Sequence, residues 1–257
     1  MASRWRHWSF RALALLFAVS WVTFPGWAGP DLIASWSPDW PQVLEGGWGV
    51  FSAVIVGVPF LALTLGRWSR AALVQLALAA SAYAVSAGAG HEPRLLWLGA
   101  GLALETALVS PLARGGAPIA IAPTKPLLVL GAAGASAWIV YALDMWSANR
   151  SDANPPDVTM GIDHYAVQGA LALVLACLPL LAGLSRELRP LLSVCAGVAG
   201  AYLGLVSATA TATEARLGLG WAIAAIAWGT AVAIAGRRSR IGEPRLDGSR
   251  SVDSAVG

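Results

Sequence analysis

The sequence predicts an all-α fold, a polytopic membrane helix bundle of about eight transmembrane helices with both termini on the cytoplasmic side. Three observations support this prediction. Of the 257 residues, 57% are hydrophobic and only 12% are charged, against the roughly 25% charged that is typical of soluble domains. The charged residues separate apolar stretches of about 18 to 20 residues, long enough to cross a hydrocarbon core of about 30 Å as helices. Lys and Arg are concentrated in alternate connections, as the positive-inside rule requires.

Eight apolar windows are the predicted spans, and most of them end at Gly, Pro or a charged residue, as helix ends in lipid do. They form a single domain, 1–236, followed by a polar tail, 237–257, that we expect to be disordered. In chain order the spans are residues 10–28, 48–65, 71–89, 95–113, 127–146, 162–183, 190–212 and 217–236.

Three arginines, Arg4, Arg6 and Arg11, stand before or at the start of the first span, and a basic start is also typical of a cleaved secretory signal peptide. This run contains Trp21 and Pro25, and the small residues near Ala28 match a cleavage site poorly. We therefore expect a retained first helix, with the cleaved peptide as the alternative.

The orientation follows from the positions of the basic residues when the N-terminus is placed inside. Fourteen of the 17 Lys and Arg residues then lie on one side, and only Arg94, Arg150 and Arg216 lie on the other. An error of one in the number of internal spans would destroy this asymmetry. The sequence therefore predicts a multi-pass protein of the plasma (inner) membrane.

The first external connection, residues 29–47, is rich in Trp. Trp36 and Trp40 lie between Trp27 and Trp48, and we interpret the four indoles as an aromatic belt at the headgroup level. A Trp-lined platform for a ligand is the alternative.

Glu105 lies in the middle of the fourth span, about ten residues from either end, where a charged side chain costs about 2.5 to 3.5 kcal/mol. It must either be protonated or face a hydrated cavity. We expect it to be a polar link to a neighbouring helix, with a proton-handling or substrate-contacting role as the alternative.

Two aspartates lie near the ends of spans. Asp144 is in the last turn of the fifth span, at the unfavourable end of the helix dipole, and Arg150 is near enough in sequence to pair with it. Asp163 opens the sixth span, where a carboxylate caps free N–H groups. Together with Glu105 and His164, these two aspartates are the candidate catalytic residues.

His164 and Gln168 are four residues apart, on one face of the sixth span. Short loops between the fifth, sixth and seventh spans should bring their outer portions together. We therefore expect one external polar pocket, whose candidate substrate-binding residues are Asp144, Asp163, His164, Gln168, Ser207, Thr209 and Thr211.

The stretch from Asp157 to Gln168 has the form D-x-T-x-G-x-D-H-x-x-x-Q. It resembles a stretch of actinobacterial multi-span membrane proteins that have no assigned role, and the resemblance extends over residues 157–236. This likeness implies the bundle architecture but no activity, cofactor or substrate.

Several chemistries lack the residues they need. His164 is the only histidine within a predicted span, which disfavours a haem held between two helices and a zinc hydrolase. The two cysteines, Cys177 and Cys195, lie in spans without a CxxC spacing and are expected to be structural thiols. We therefore predict no cofactor and no metal. We also predict no nucleic-acid partner, because the basic residues lie in short clusters between the spans, where they set membrane orientation.

Three classes of function remain. The first is binding or transport of a small polar or cationic molecule through the external pocket. The second is a membrane-embedded enzyme that acts on a lipid or isoprenoid, with a carboxylate as general acid and His164 as base. The third is an accessory or scaffold subunit of a membrane complex. The predicted partners are the lipid bilayer, a small polar or lipidic ligand and, for the third class, other subunits.

Overall fold

The computed structural model describes residues 2–24, 27–113, 119–151, 158–211 and 215–241, and this part of the chain is almost entirely helical. A two-stranded antiparallel hairpin, β1 (Val158–Thr159) and β2 (Ile162–Asp163), precedes α7. The helices are α1 (Ala2–Val22), α2 (Ala28–Ala34), α3 (Gln42–Thr64), α4 (Ser69–Gly90), α5 (Leu95–Val109), α6 (Lys125–Ser151), α7 (His164–Leu184), α8 (Arg189–Thr209) and α9 (Leu219–Ile241).

Seven of these helices, α3 to α9, are long and apolar enough to cross a membrane, with α5 continued by a 3-10 turn, Ser110–Ala113. They correspond to the second to eighth predicted spans. The first predicted span, 10–28, differs: α1 ends at Val22, and its apolar part, His7–Val22, is shorter than the other seven. The predicted tail also differs, because α9 continues to Ile241, and residues 242–257 lie outside the described part of the chain.

The connections alternate between two ends of the bundle, which we name after the ends of α3. At the Gln42 face, Thr211 N donates to Gln42 Oε1 over 2.7 Å and Asn149 donates to Gly90 O over 3.0 Å. At the Thr64 face, Arg70 pairs with Glu187 over 3.3 Å. Ala122 N also donates to Leu184 O there, over 2.8 Å.

The core lies where α3, α7 and α8 meet, since these are the most buried of the long helices. Helix α4 packs against α3 and α7. Helices α5, α6 and α9 lie at the periphery, where they expose large apolar side chains such as Trp97, Val129 and Trp221. An apolar exterior of this kind is the surface that a bilayer would solvate.

The middle of α3 is a π-helix, Phe51–Gly57. Pro59 follows it, and Pro has no N–H to donate to the carbonyls of Ile55 and Val54, four and five residues earlier. The Gln75 side chain on α4 supplies the missing donor, with Nε2 3.0 Å from Ile55 O and 3.3 Å from Val54 O. Pro59 therefore accounts for the irregular turn in α3, and the Gln75 side chain of α4 donates to the carbonyls that this turn leaves without a helical donor.

Helices α1 and α2 together follow the whole length of α3. Thr64 Oγ1 donates to Arg11 O over 3.5 Å at one end. A Cβ at Gly46, near the other end, would lie 3.3 Å from Ser35 Cβ. The end of α1 lies beside the middle of α3, where a Cβ at Gly57 would lie 3.4 Å from Val22 Cγ2, and Trp27, just before α2, adopts a left-handed conformation with φ of 51°. The expected simple helix 10–28 is thus replaced by two helices in tandem.

Candidate functional site

His164 and Gln168 share a face of α7, as predicted, and this face packs on α3. The His164 ring stacks on Trp48, with centroids 4.7 Å apart. Gln168 is buried against Gly47 and donates through Nε2 to Tyr141 OH over 2.9 Å. Tyr141 OH in turn donates to Ala215 O over 2.7 Å. These groups therefore join α3, α6, α7 and the connection before α9.

The contact between His164 and Trp48 overturns one expectation. Trp48 is 1% exposed and lies inside α3, so the prediction of an aromatic belt is wrong for this residue. The indoles of Trp27, Trp36 and Trp40 are exposed. A side chain that stacks on a buried imidazole stabilises the core of the bundle, because aromatic pairs contribute about 0.5–1.5 kcal/mol beyond their buried area.

Asp163 is the N-cap of α7, which confirms the predicted structural role. Its Oδ1 accepts a hydrogen bond from Tyr165 N over 2.9 Å. The end of α8 is tied down in another way: Thr211 Oγ1 lies 3.3 Å from Gln42 Oε1, to which it donates. Thr209 bonds back to its own helix, at Leu205 O, over 3.0 Å, and Ser207 is buried.

Asp144 lines a cavity that the other candidate residues do not line, and shares it with Tyr141, the partner of Gln168. It is exposed and lines a groove between α6 and α9, and none of the other six candidate binding residues lines that groove. Arg150 donates to Ala89 O instead of pairing with Asp144. Within the described part of the chain, no ion pair reaches Asp144.

Glu105 is half-buried on α5, and its Oε2 accepts a hydrogen bond from Trp21 Nε1 on α1 over 2.8 Å. The predicted polar link to a neighbouring helix is therefore present. Glu105 lines neither of the two cavities described in this section.

A cavity of about 970 Å³ opens at the Gln42 face between α2, the start of α3 and the β-hairpin. We call it the acidic cleft. Two carboxylates, Asp31 and Glu45, are 8% and 4% exposed on its walls. Its aromatic residues are Phe24, Trp27 and Trp40, and the first two meet edge to face with centroids 5.7 Å apart.

The charge of the acidic cleft has one sign. Among the described residues that line it, two are acidic and none is Lys, Arg or His. Low-dielectric walls strengthen the field of such carboxylates inside a cleft. Arg94 lies beyond the lining, where it donates to Gly161 O next to the hairpin. The cleft therefore favours a cation, and its rings favour one with apolar substituents.

His164 touches the acidic cleft through one intermediary. Its Nε2 lies within hydrogen-bond distance, 2.8 Å, of Thr159 Oγ1, and Thr159 lines the cleft. Asp163 pairs with Val158 across the hairpin. His164 and Asp163 therefore contact residues that line the cleft but do not line it themselves.

Sequence reasoning missed Asp31 and Glu45, which it treated as external loop residues. The available signal was the Trp-rich composition of residues 27–40, which raised the alternative of a ligand platform. The separate helix α2, on which Asp31 is buried, was not predicted, because the Pro25-Gly26 pair before it is equally typical of the end of a span.

Among the described residues, no three His, Cys, Asp or Glu side chains are grouped closely enough to hold a metal ion. Comparison of this chain with protein-family models, with curated proteins and with solved structures finds no match.

Proposed function

We propose that this protein binds a small organic cation in the acidic cleft. The observation that carries the proposal is the combination of two buried carboxylates, Asp31 and Glu45, with the rings of Phe24, Trp27 and Trp40 around one open cavity of about 970 Å³. This volume is near the upper end of the range for small-molecule sites, roughly 300–1,000 Å³.

Each part of the cleft has a separate chemical role. The two carboxylates, each of which also has a contact within the protein, place negative charge on the wall of the cleft, and this charge favours a cation over an anion. The aromatic faces attract an ammonium group by about 0.5–2 kcal/mol each, depending on how far it is desolvated. Alkylated ammonium groups lose less hydration free energy on binding than bare metal cations do. They therefore gain most from a lining that combines carboxylates with aromatic rings. Ile33 and Met160 add apolar contact at the rim.

We further propose that the Gln42 face is external and that both termini are cytoplasmic, in the plasma membrane. Support comes from the basic residues of the Thr64 face, which include Arg67, Arg70, Arg186 and Arg189. In this orientation α1 and α2 together make the first of eight crossings. An interrupted helix is tolerated at membrane depth where it borders a cavity, and the acidic cleft borders this interruption.

The test is calorimetric titration of the purified chain in lipid nanodiscs with benzyltrimethylammonium, and with benzoate as a probe of similar ring and opposite charge. We expect saturable binding of the cation and none of the anion. Asp31→Asn and Glu45→Gln should each weaken binding about tenfold or more, which corresponds to about 1.4 kcal/mol. Trp27→Leu should weaken it by about threefold to tenfold.

Two variants serve as matched controls. Asp39→Asn removes an exposed carboxylate of the same connection, and Trp36→Leu removes an indole that packs edge to face on Tyr202 and does not line the cleft. Both should bind the cation as the wild type does. Equal binding of benzoate, or an unchanged affinity in both Asp31→Asn and Glu45→Gln, would overturn the proposal.

A further inference from the structure

A second cavity lies on the side of the bundle, between the peripheral helices α6 and α9. We call it the lateral groove. Its volume is about 510 Å³, and its walls carry Trp138, Tyr141, Trp221 and Trp228, with Asp144 from α6. Both helices belong to the apolar set that is long enough to cross a membrane. In the proposed orientation, the groove opens toward the acyl region of the bilayer.

The aromatic wall of the lateral groove is held in place by its own contacts. Trp138 meets Trp228 and Tyr141 edge to face, with centroids 5.7 Å and 6.0 Å apart. Trp228 Nε1 donates to Leu130 O over 2.8 Å, and the Tyr141 hydroxyl holds Ala215 O, two residues before Leu217 at the groove's edge. A fixed wall of rings is preorganised to receive an acyl chain without ordering new side chains.

Asp144 gives the lateral groove a polar end. It lies seven residues before the end of α6 at Ser151, about 10 Å along the helix axis. The two basic residues nearest in the chain to the groove's lining have other partners: Arg150 donates to Ala89 O, and Arg216 Nε donates to Ser207 O over 3.2 Å. An exposed carboxylate beside an apolar groove, without a cation from the described residues, is complementary to an external cation.

We propose that the lateral groove binds a membrane lipid whose headgroup carries a primary ammonium. The ammonium donates to Asp144, and one acyl chain lies along Trp138, Trp221 and Trp228. Both classes of headgroup contain a phosphate that the carboxylate repels, but only the headgroup with a primary ammonium offsets this repulsion, because its N–H groups donate to Asp144. The nearby indole faces also favour a cation. This site is separate from the acidic cleft, since the two cavities share no lining residue.

Native mass spectrometry of the full chain tests this proposal. The protein, released from detergent, is offered equal amounts of phosphatidylethanolamine and phosphatidylglycerol with identical acyl chains. We expect the first retained lipid to be phosphatidylethanolamine by about fivefold, the factor given by an exposed ion pair of about 1 kcal/mol. Asp144→Asn should abolish the preference. Asp144→Lys should invert it in favour of phosphatidylglycerol.

Asp39→Asn is the control, because Asp39 is an exposed carboxylate of the same face that lines neither cavity. It should keep the wild-type preference. Since Asp144 is itself exposed, both of its variants should remain folded, which gel filtration in detergent verifies. Equal retention of the two lipids by the wild type, or an unchanged preference in Asp144→Asn and Asp144→Lys, would overturn the proposal. Neither result depends on cation binding in the acidic cleft.

Discussion

At the residue scale, the buried polar link between α3 and α7 requires that residue 47 have no side chain. A Cβ at Gly47 would overlap Oε1 of Gln168 and would lie 3.1 Å from its Nε2. With glycine there, the Gln168 amide lies flat against α3 and donates to Tyr141. Amide groups in an apolar core are costly unless they are bonded. The close approach of the α3 backbone is therefore part of how Gln168 is accommodated.

The hydrogen bond between Trp21 and Glu105 predicts different outcomes for two substitutions. Glu105→Gln keeps an acceptor oxygen for the indole N–H and should leave the melting temperature nearly unchanged. Glu105→Leu leaves that N–H without its acceptor, which costs about 1–3 kcal/mol. Thermal unfolding in detergent measures both. Combining Glu105→Leu with Trp21→Phe should cost less than the sum of the single changes, because the orphaned donor is gone. A Glu105→Leu variant as stable as the wild type would contradict this account.

At the scale of elements, α8 and α9 pack through small residues. The backbones approach so closely that a Cβ at Gly197 would lie 2.5 Å from Gly229 O, and a Cβ at Gly229 would lie 2.5 Å from Gly197 O. A Cβ at Gly204 would lie 2.6 Å from Ala222 O. Small residues at three- and four-residue spacing are typical of helix pairs in membranes, where close backbone contact replaces the hydrophobic effect as the source of affinity.

This packing predicts that Gly229→Ala destabilises the protein, although alanine is the better helix former. The added methyl must push α8 and α9 apart, at a cost of about 1–3 kcal/mol, which exceeds the gain in helix propensity of about 0.5–1 kcal/mol. The melting temperature in detergent should fall. Gly220→Ala, on the same helix, meets no atom within 4 Å and should be neutral or slightly stabilising. Equal melting temperatures for Gly229→Ala and Gly220→Ala would contradict the close backbone contact between α8 and α9.

At the scale of the whole molecule, the proposed orientation predicts the sidedness of each connection. Reporter fusions that require cytoplasmic exposure should be active after Arg70 and Arg189 and inactive after Arg94 and Arg216. The interrupted crossing adds a sharper expectation, because α1 and α2 together run the length of α3: a fusion after Asp39 should be inactive while a reporter at the N-terminus is active. If the reporters at these two positions are both active or both inactive, α1 and α2 together do not cross the membrane.

The whole bundle also explains how the two proposed binding sites can coexist in a small protein. The acidic cleft is built from α2, α3 and the hairpin, at one end of the bundle. The lateral groove is built from α6 and α9, on its side. The two cavities share no lining residue, and α3, which contributes to the acidic cleft, belongs to the buried core, whereas α6 and α9 lie at the periphery. Ligands could therefore reach the two cavities from different phases, one from water and the other from lipid.

The sequence by itself determined the fold class and the long helices. Apolar length and helix boundaries are local properties, which is why the predicted span 95–113 coincides with Leu95–Ala113 and the other spans from the second to the eighth differ only at their ends, as in α3, whose start moved to Gln42. The first predicted span, 10–28, is the exception, because two helices replace it. The N-cap role of Asp163 and the shared face of His164 and Gln168 were also local and were predicted correctly.

Only the tertiary structure decided which polar residues meet. Helix spacing says which side chains share a face, but not how a helix is rotated toward its neighbours, because that depends on packing between elements far apart in sequence. Thus Asp144 lines a groove with α9 and not with His164, and Asp31 and Glu45, from two different helices, line one cleft. Close approach at Gly47 and Gly229 is likewise set by the partner helix, which no local pattern specifies.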